Sequence, residues 1–384
     1  MPIGPARRQP AMLGSLGRHH LLCLLGLLGA AFIGISAGAI DLCSFRSPTT
    51  DLTRLLLTAH YNYLDLPDTE PHDVSAGRMS LTFSTVHDRP NRAQNVGATA
   101  EFSFDRFRFD GAVASAFMTD RYYVAEAEPL FIFGEIRGEG SWASQEPGLE
   151  VRFGAGYGRL SDSTPLAKAI RIQDRLLKDL IIDAPMQDDD LRAIAQLIAR
   201  ELDLQGIGAL VSEIQQVIEG ATGSALNARS LFAIAAEVDA GGAALKCGWV
   251  NQLGLGYELA PRFGSSRQFL LNAASDLSRP LSLGSQVEVH GDVSVPLAAK
   301  GAYSFVGWIR FDRRLTSSAR LVAAYNLQRV KMPSADASTS QSLEFQLLFD
   351  LGSASIAASA SLTHGTGMSG WIEAFNISTR VDLI

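Results

Sequence analysis

Residues 363–370, THGTGMSG, hold the pair of side chains in this chain that most resembles hydrolytic machinery. His364 precedes Ser369 by five positions, and a serine nucleophile needs a histidine base within hydrogen-bond reach. The surrounding Gly, Thr and Ser residues are equally typical of a polar loop, which needs no reaction to explain its composition. We therefore predict that the protein is not an enzyme and has no catalytic residues.

Metal ligation has one local candidate, the acidic run Asp188–Asp190. Consecutive carboxylates are hard oxygen ligands, but at the start of a helix they more often stabilise its N-terminus. The histidines that follow residue 39 are scattered and show no ligand spacing; they are His60, His72, His87, His290 and His364. We predict neither a metal site nor a cofactor.

Residues 154–159, GAGYGR, have the glycine content of a nucleotide-binding loop but a different context. A phosphate-binding loop places its glycines between a strand and the start of a helix. Here the glycines alternate with Ala155 and Tyr157 in the manner of a strand. The pattern predicts small side chains on an inward face, where they let another chain segment approach.

Overall composition excludes some classes of partner. The 384 residues are 47% hydrophobic and only 19% charged, and the formal net charge is −7. An acidic chain lacks the positive surface that neutralises nucleic-acid phosphates. We therefore expect no nucleic-acid partner.

The N-terminus has the three parts of a secretory signal peptide. Arg7, Arg8 and Arg18 precede the uncharged run LLCLLGLLGAAFIGISAGAI at 21–40, which contains the small-residue site Ala37-Gly38-Ala39. We predict that residues 1–39 are a cleaved leader. The alternative is an N-terminal anchor, because twenty apolar residues are long enough to span a bilayer.

Export bears on the two cysteines that remain after cleavage, Cys43 and Cys247. An exported chain can oxidise such a pair, but a single pair is not a disulfide framework. Two unpaired thiols are the more ordinary interpretation, and the sequence leaves the pairing open.

The chain after the leader is dominated by segments in which polar and apolar residues alternate. In QSLEFQLLFDL, Leu343, Phe345 and Leu347 share one face, and Glu344 and Asp350 lie on the other. About fourteen such segments are recognisable, at 54–66, 77–88, 93–105, 107–119, 129–142, 148–160, 244–260, 266–277, 282–297, 301–311, 317–331, 341–351, 353–364 and 370–383. The pattern changes phase at Asp105, which indicates a bulge or a hairpin turn there.

Helical spacing replaces the alternation between about 163 and 240. Apolar residues at intervals of three and four predict one helix after Pro165, a second after Asp190 and a third from Ile207. Residues 225–238 fit either a fourth helix or a returning strand. The domains expected are a first barrel part at 40–162, a helical insertion at 163–240 and a second barrel part at 241–384.

Strands with one apolar face occur in soluble sandwiches and in membrane barrels. A strand that spans a bilayer needs about 9–11 residues, and these segments have that length, whereas sandwich strands are nearer 5–6 residues. The final segment, WIEAFNISTRVDLI, is also amphipathic, with Glu373 on its apolar face and therefore expected at a membrane rim. A leader, alternating strands and a C-terminal amphipathic strand together resemble the bacterial outer-membrane β-barrel proteins, over most of the chain outside 163–240.

This resemblance implies an all-β, antiparallel transmembrane barrel of about fourteen strands with an inserted α-helical subdomain. It places the chain in the outer membrane, in contact with outer-membrane lipid. Helices cannot interrupt a strand within the hydrocarbon, so the insertion is either a plug or a periplasmic cap. Six strands precede it, which puts it on the periplasmic side if both termini lie there. Charged residues within the strands are candidates to face the lumen: Glu101, Arg152, Arg310, Glu344 and Asp350.

The function expected from these features is a passive, porin-like channel for small solutes or ions that the helices occlude. The alternative is a scaffold or assembly protein whose helices dock a periplasmic partner. A third class, a soluble β-rich secreted protein, predicts extraction without detergent.

Overall fold

The computed structural model describes residues 40–384 except 48, 66–72, 106, 126–127, 143–146, 201–206, 241–243, 261–266, 317, 334, 352–353, 369 and 384. The side chains of 61–65, 73–75 and 382 are also outside the description. The predicted leader, residues 1–39, and Ser369 therefore lie outside the described residues.

Fourteen strands make up most of the described chain. Six precede the helices: β1 (Thr50–Asp65), β2 (Asp73–Asp88), β3 (Arg92–Asp105), β4 (Arg108–Tyr123), β5 (Leu130–Ser141) and β6 (Gly148–Asp162). Eight follow them: β7 (Lys246–Ala260), β8 (Gln268–Ser282), β9 (Ser285–Pro296), β10 (Tyr303–Arg314), β11 (Ala319–Lys331), β12 (Ser338–Asp350), β13 (Ala354–Gly365) and β14 (Ile372–Asp382).

The strands form one closed antiparallel barrel in which each strand pairs with its neighbours in the chain. Closure occurs between β1 and β14, in a register that runs from Leu56 opposite Asp382 to His60 opposite Ser378. Because the sheet closes on itself, each of the fourteen strands has a strand neighbour on both sides. The predicted antiparallel barrel of about fourteen strands is confirmed.

The phase change at Asp105 results from a turn and a bulge together. Asp105 pairs with Arg108, so the chain reverses direction between these two residues, and Phe107 has a φ of 62°. Phe104 pairs with Phe109 while Ser103 pairs with Gly111, which leaves one extra residue on β4. The bulge restores the alternation after the tight turn.

Four helices occupy the insertion: α1 (Thr164–Lys178), α2 (Asp188–Ala199), α3 (Ile207–Thr222) and α4 (Ala228–Asp239). The segment that fitted either a helix or a strand is therefore helix α4. At the start of α1, the backbone N–H of Thr164 donates to Asp162 Oδ1 at 2.8 Å, and Pro165 lies in the first turn. Among the described residues, no helix is both long enough and apolar enough to cross a bilayer.

The helices bury their apolar faces mainly against one another. This helical core includes Leu166, Ile172, Leu176, Ile194, Leu210, Ile214, Ile218 and Ile234, all nearly inaccessible to solvent. The segment before β1 joins the same core through Phe45, after a short 3-10 helix at Leu42–Ser44. The helical subdomain thus has a hydrophobic core of its own.

A disulfide between Cys43 and Cys247 fastens this subdomain to the barrel. The expectation of two unpaired thiols is therefore wrong. Packing of Phe45 on the helices carries Cys43 to the start of β7, where the two Cα atoms are 5.4 Å apart. The sequence separation of 204 residues conceals this proximity.

The two ends of the barrel differ in their connections. One end, called here the helix end, holds the start of β1, the end of β14 and the four helices. Its other connections are mostly short, at 89–91, 124–129, 283–284, 315–318 and 351–353. The opposite end, called here the far end, has mostly longer connections, at 66–72, 106–107, 142–147, 261–267, 297–302, 332–337 and 366–371.

Candidate functional site: the barrel lumen

The two faces of each strand differ sharply in what they expose. On β6, Phe153 and Tyr157 are 65% and 49% exposed, whereas Arg152 is 1% exposed. Alternation along a strand directs successive side chains to opposite sides of the sheet. The apolar residues of this barrel thus face outward, and many of its charged residues face inward.

The outward face forms an apolar belt around the barrel. Its exposed large side chains include Leu81, Met118, Ile132, Ile136, Phe153, Leu253, Leu255, Leu271, Leu277, Phe345, Ile356, Phe375 and Ile377. Aromatic pairs lie on the same surface: the Tyr157 and Trp249 rings are 5.5 Å apart, and those of Tyr257 and Phe269 are 4.9 Å apart.

Contacts between strands that are not neighbours identify the lumen. Arg159 of β6 donates from Nη2 to Asp88 Oδ1 of β2 at 2.5 Å. Arg121 of β4 donates to Gln252 of β7 at 3.4 Å. Such bonds can form only across the barrel interior, so these side chains point inward.

Arg152 lies at the centre of a buried charge network in this interior. Its Nε and Nη2 atoms donate to the two carboxylate oxygens of Glu150 at 2.7 and 3.1 Å. Its Nη1 atom donates to Asp292 Oδ2 on β9 at 2.8 Å. A charge so far from solvent requires this degree of pairing, because an unpaired buried ion is very unfavourable.

Further groups extend the Arg152 network across the lumen. Arg137 forms ion pairs with Glu135 and, at 3.3 Å, with Asp292. Thr119 Oγ1 donates to Glu135 Oε2 at 3.0 Å, and Asn272 Nδ2 donates to Glu150 Oε1 at 3.2 Å. The network connects β4, β5, β6, β8 and β9 and holds one side of the lumen in a fixed arrangement.

The glycines of β6 accommodate aromatic rings inside the barrel. Phe131 and Phe133 of β5 are buried on the inward face, and their registers place them opposite Gly156 and Gly154. A Cβ atom on Gly156 would overlap the Phe131 ring. The GAGYGR segment therefore makes room for packing, and it continues as a strand where a phosphate loop would lead into a helix.

A cavity of about 760 Å³ occupies the helix end of the lumen. Strands from opposite sides of the barrel line it, and α1 bounds it through Thr164, Lys168 and Arg171. Positive groups predominate in its wall. Nine are lysine or arginine (Arg54, Arg121, Lys168, Arg171, Lys246, Arg310, Arg314, Arg320 and Arg380), against five carboxylates (Asp88, Asp162, Glu288, Asp312 and Asp350).

A second cavity of about 550 Å³ has the opposite balance of charge. Its wall carries Arg121 and Arg137 as cations, together with the carboxylates Glu135, Glu139, Glu150 and Glu258. Arg121 lines both cavities. In the described part of the lumen, cations therefore predominate in the cavity next to the helices, and carboxylates predominate in the second cavity.

The five residues predicted to face the lumen occupy different surroundings. Arg310 and Asp350 line the larger cavity, and Arg152 is the centre of the buried network. Glu101 pairs with Arg78, whose Nε is 2.7 Å from Glu101 Oε1. Glu344 lies opposite Ala324 and Ser361 and belongs to the wall of neither cavity.

Several residues of the lumen were not among the predicted ones. Arg320 and Arg380 line the larger cavity, and Asp292 and Glu135 complete the Arg152 network. All four lie on strands whose alternation was recognised. The alternation identifies the polar face of each strand, but it does not reveal which polar groups meet across the barrel.

The remaining chemical candidates have ordinary structural surroundings. His364 donates from Nδ1 to the Gly370 carbonyl oxygen at 3.0 Å and packs against Trp371. Asp188–Asp190 form the first turn of α2. The described residues contain no group of three or more His, Cys, Asp or Glu side chains that could hold a metal ion.

Comparison with solved structures finds outer-membrane barrels of low similarity. The outer membrane protein Omp33 of Acinetobacter baumannii is 6% identical, with a TM-score of 0.34 over 88% of this chain and 99% of that chain. The outer membrane channel DcaP of the same organism is 9% identical, with a TM-score of 0.36 over 88% and 99%. OccD3 of Pseudomonas aeruginosa is 6% identical, with a TM-score of 0.31 over 91% and 96%.

No protein-family model matches the chain, and no curated protein matches its sequence. At TM-scores this low, no functional property is transferred from the three solved structures to this chain.

Proposed function

We propose that this chain is an outer-membrane β-barrel that acts as a passive channel for small solutes or ions. Closure of the barrel gives each strand a hydrogen-bonded neighbour on both sides, as strands that span a bilayer require. Its strands of 11–16 residues exceed the length that a tilted spanning strand needs. The outward apolar belt would lie against the lipid.

The apolar belt argues against the soluble alternative. Soluble monomers rarely expose contiguous apolar patches larger than a few hundred Å², and here exposed Phe, Leu and Ile side chains recur from strand to strand. Glu373, the acidic residue on this face of β14, lies at the second position of the strand and so near a rim. A charge there has the smallest cost.

The connection lengths support a periplasmic position for the helices. Outer-membrane barrels have short turns on the periplasmic side and longer loops outside. The helix end carries the shorter connections, and it also holds the start of β1 and the end of β14. The helical subdomain is then a periplasmic cap: its core is separate from the strands, and α1 covers part of the lumen opening.

The observation that carries the channel function is the polar space inside the barrel. Cavities of about 760 and 550 Å³ remain between charged walls, so side chains do not fill the lumen. A barrel of this strand number is wide enough for such a space. The Arg152 network narrows the lumen, and neither cavity is closed by it.

Planar-bilayer recording of the detergent-extracted, folded protein tests this function. We expect discrete conductance steps from the wild-type chain. A barrel that is folded, as judged by a heat-dependent shift in gel mobility, but electrically silent would contradict the channel function. That result would favour the scaffold alternative, in which the helices dock a periplasmic partner.

A further inference from the structure

Three arginines converge on one side of the larger cavity. Arg310 lies on β10, Arg320 on β11 and Arg380 on β14, and all three line the cavity wall. Leu348 of β12 pairs with Arg320, and Ser355 of β13 pairs with Arg380. Asp350 of β12 also lines the cavity. The three arginine side chains are called here the arginine patch.

The arginine patch has unused hydrogen-bonding capacity. The Nε atoms of Arg310, Arg320 and Arg380 are buried, and none has a hydrogen-bond partner among the described residues. A buried donor without a partner costs free energy. The protein therefore leaves part of the hydrogen-bonding capacity of these three guanidinium groups unsatisfied.

Other cations of the same cavity are engaged by the protein itself. Arg171 donates to Glu237 Oε2 at 3.0 Å and to the Leu283 carbonyl oxygen at 2.9 Å. Arg121 also has a buried Nε without a partner, but its guanidinium lies over the Phe131 ring at 5.6 Å and donates to Gln252. The unused donors thus concentrate in the arginine patch.

The carboxylates near the arginine patch do not neutralise it. Asp312 is shared, because its Oδ2 atom is 3.4 Å from Arg310 Nη2 and 3.6 Å from Arg320 Nη1. Arg380 lies within electrostatic range of Arg54, Arg310 and Arg320, with Asp350 as the opposing charge. Cations outnumber carboxylates at this place, so a bound anion would relieve repulsion between them.

We propose that Arg310, Arg320 and Arg380 form a binding site for the oxyanion group of a small solute in transit, a phosphate or a carboxylate. This proposal rests on the channel function and specifies the class of solute. Planar guanidinium groups bind such oxygens through charge-assisted and often bidentate hydrogen bonds. The side chain of Arg320 is only 15% exposed, which limits competition from bulk water.

Calorimetric titration of the folded, detergent-solubilised full chain tests the site directly. The probes are inorganic phosphate and citrate, each titrated separately at low ionic strength. The test variant is the triple substitution Arg310→Gln, Arg320→Gln and Arg380→Gln. We expect wild-type protein to bind at least one probe, and the triple variant to bind it at least about tenfold more weakly, because charge-assisted bonds are lost.

Arg313→Gln is the matched control. Arg313 lies on the same strand as Arg310 but pairs with Leu321 and Ser285 on the outward face, and it is exposed. This substitution removes one positive charge from the same strand without touching the cavity, so probe affinity should remain at the wild-type value. If the triple variant does not fold, Arg380→Lys keeps the charge and should weaken binding less than Arg380→Gln does.

The outcomes separate the site from the channel. Conductance steps without binding of either probe would overturn the site and leave the channel intact. Binding that depends on the arginine patch, without conductance, would support the site and overturn the channel. Equal affinity in the wild-type and triple-variant proteins would overturn the site, and the preferred probe would distinguish phosphate from carboxylate solutes.

Discussion

Arg152 shows how a single buried side chain can organise the lumen. Its guanidinium binds Glu150 and Asp292 and lies 3.6 Å from Glu135, so one cation serves three carboxylates on three strands. Burial of this kind is tolerated only with complete pairing. Arg152 therefore has a structural role that its position in the strand pattern alone does not indicate.

We predict that Arg152→Ala destabilises the barrel by roughly 3–5 kcal/mol, because it leaves buried carboxylates without a cation. The measurement is the urea dependence of unfolding of the protein in detergent micelles. Arg313→Ala on the outward face is the control and should change stability little. An unfolding midpoint for Arg152→Ala equal to that of the control would contradict the role given to the network.

At the scale of elements, the disulfide joins two parts that pack separately. Cys43 precedes β1 and packs beside the helical core, and Cys247 is the second residue of β7. Leu245, at the same junction, donates its backbone N–H to Thr164 Oγ1 at 2.9 Å. The helical subdomain is thus held at both ends of its attachment to the barrel.

We expect the double substitution Cys43→Ser and Cys247→Ser to lower the stability of the helical subdomain by about 2–4 kcal/mol, the usual contribution of a disulfide. Helical circular dichroism during thermal unfolding reports on this subdomain. Wild-type protein treated with a thiol-alkylating reagent but no reductant is the control and should unfold as the untreated protein does. An unchanged transition in the double variant would show that packing alone holds the helical subdomain.

The position of α1 leads to a prediction about conductance. Lys168 and Arg171 of α1 line the larger cavity, so we expect the helix to restrict the opening at that end. Replacement of residues 164–240 by a short Gly-Ser linker should increase the single-channel conductance. Heat-dependent gel mobility must first show that the shortened barrel is folded.

Equal conductance of the two proteins would mean that the helical subdomain does not limit the ion path. A shortened barrel that conducts while the full chain is silent would instead make the helices a plug. The same bilayer recordings of the two proteins distinguish these outcomes.

At the scale of the whole molecule, the lumen is electrically asymmetric. Cations predominate in the cavity at the helix end, and carboxylates predominate in the cavity that Glu135, Glu139, Glu150 and Glu258 line. Charges of opposite sign at two positions along a pore favour different ions at its two mouths. The channel should therefore conduct unequally at the two voltage polarities.

We predict a current–voltage curve that is asymmetric in symmetric 0.1 M KCl and nearly symmetric in 1 M KCl. The reason is that the Debye length falls from about 10 Å to about 3 Å between these salt concentrations. The triple arginine variant should show less asymmetry than the wild-type protein at low salt. A symmetric curve at low salt would contradict the charge separation.

The sequence by itself determined the strands and most helices. Alternation of polar and apolar residues marks each strand, because a sheet directs neighbouring side chains to opposite sides. The same alternation distinguished the outward Phe153 and Tyr157 from the inward Arg152. Strand position and side-chain orientation depend on neighbouring residues in the chain, so a local sequence pattern is sufficient to predict them.

Only the tertiary structure decided which residues meet. Barrel closure places Arg380 of β14 within electrostatic range of Arg54 on β1 and Arg320 on β11, and it brings Asp292 of β9 to Arg152 of β6. Packing of Phe45 on the helices decided that Cys43 pairs with Cys247. Such contacts join residues far apart in the chain. They depend on strand register and barrel curvature, and neither can be predicted from the periodicity of a single strand.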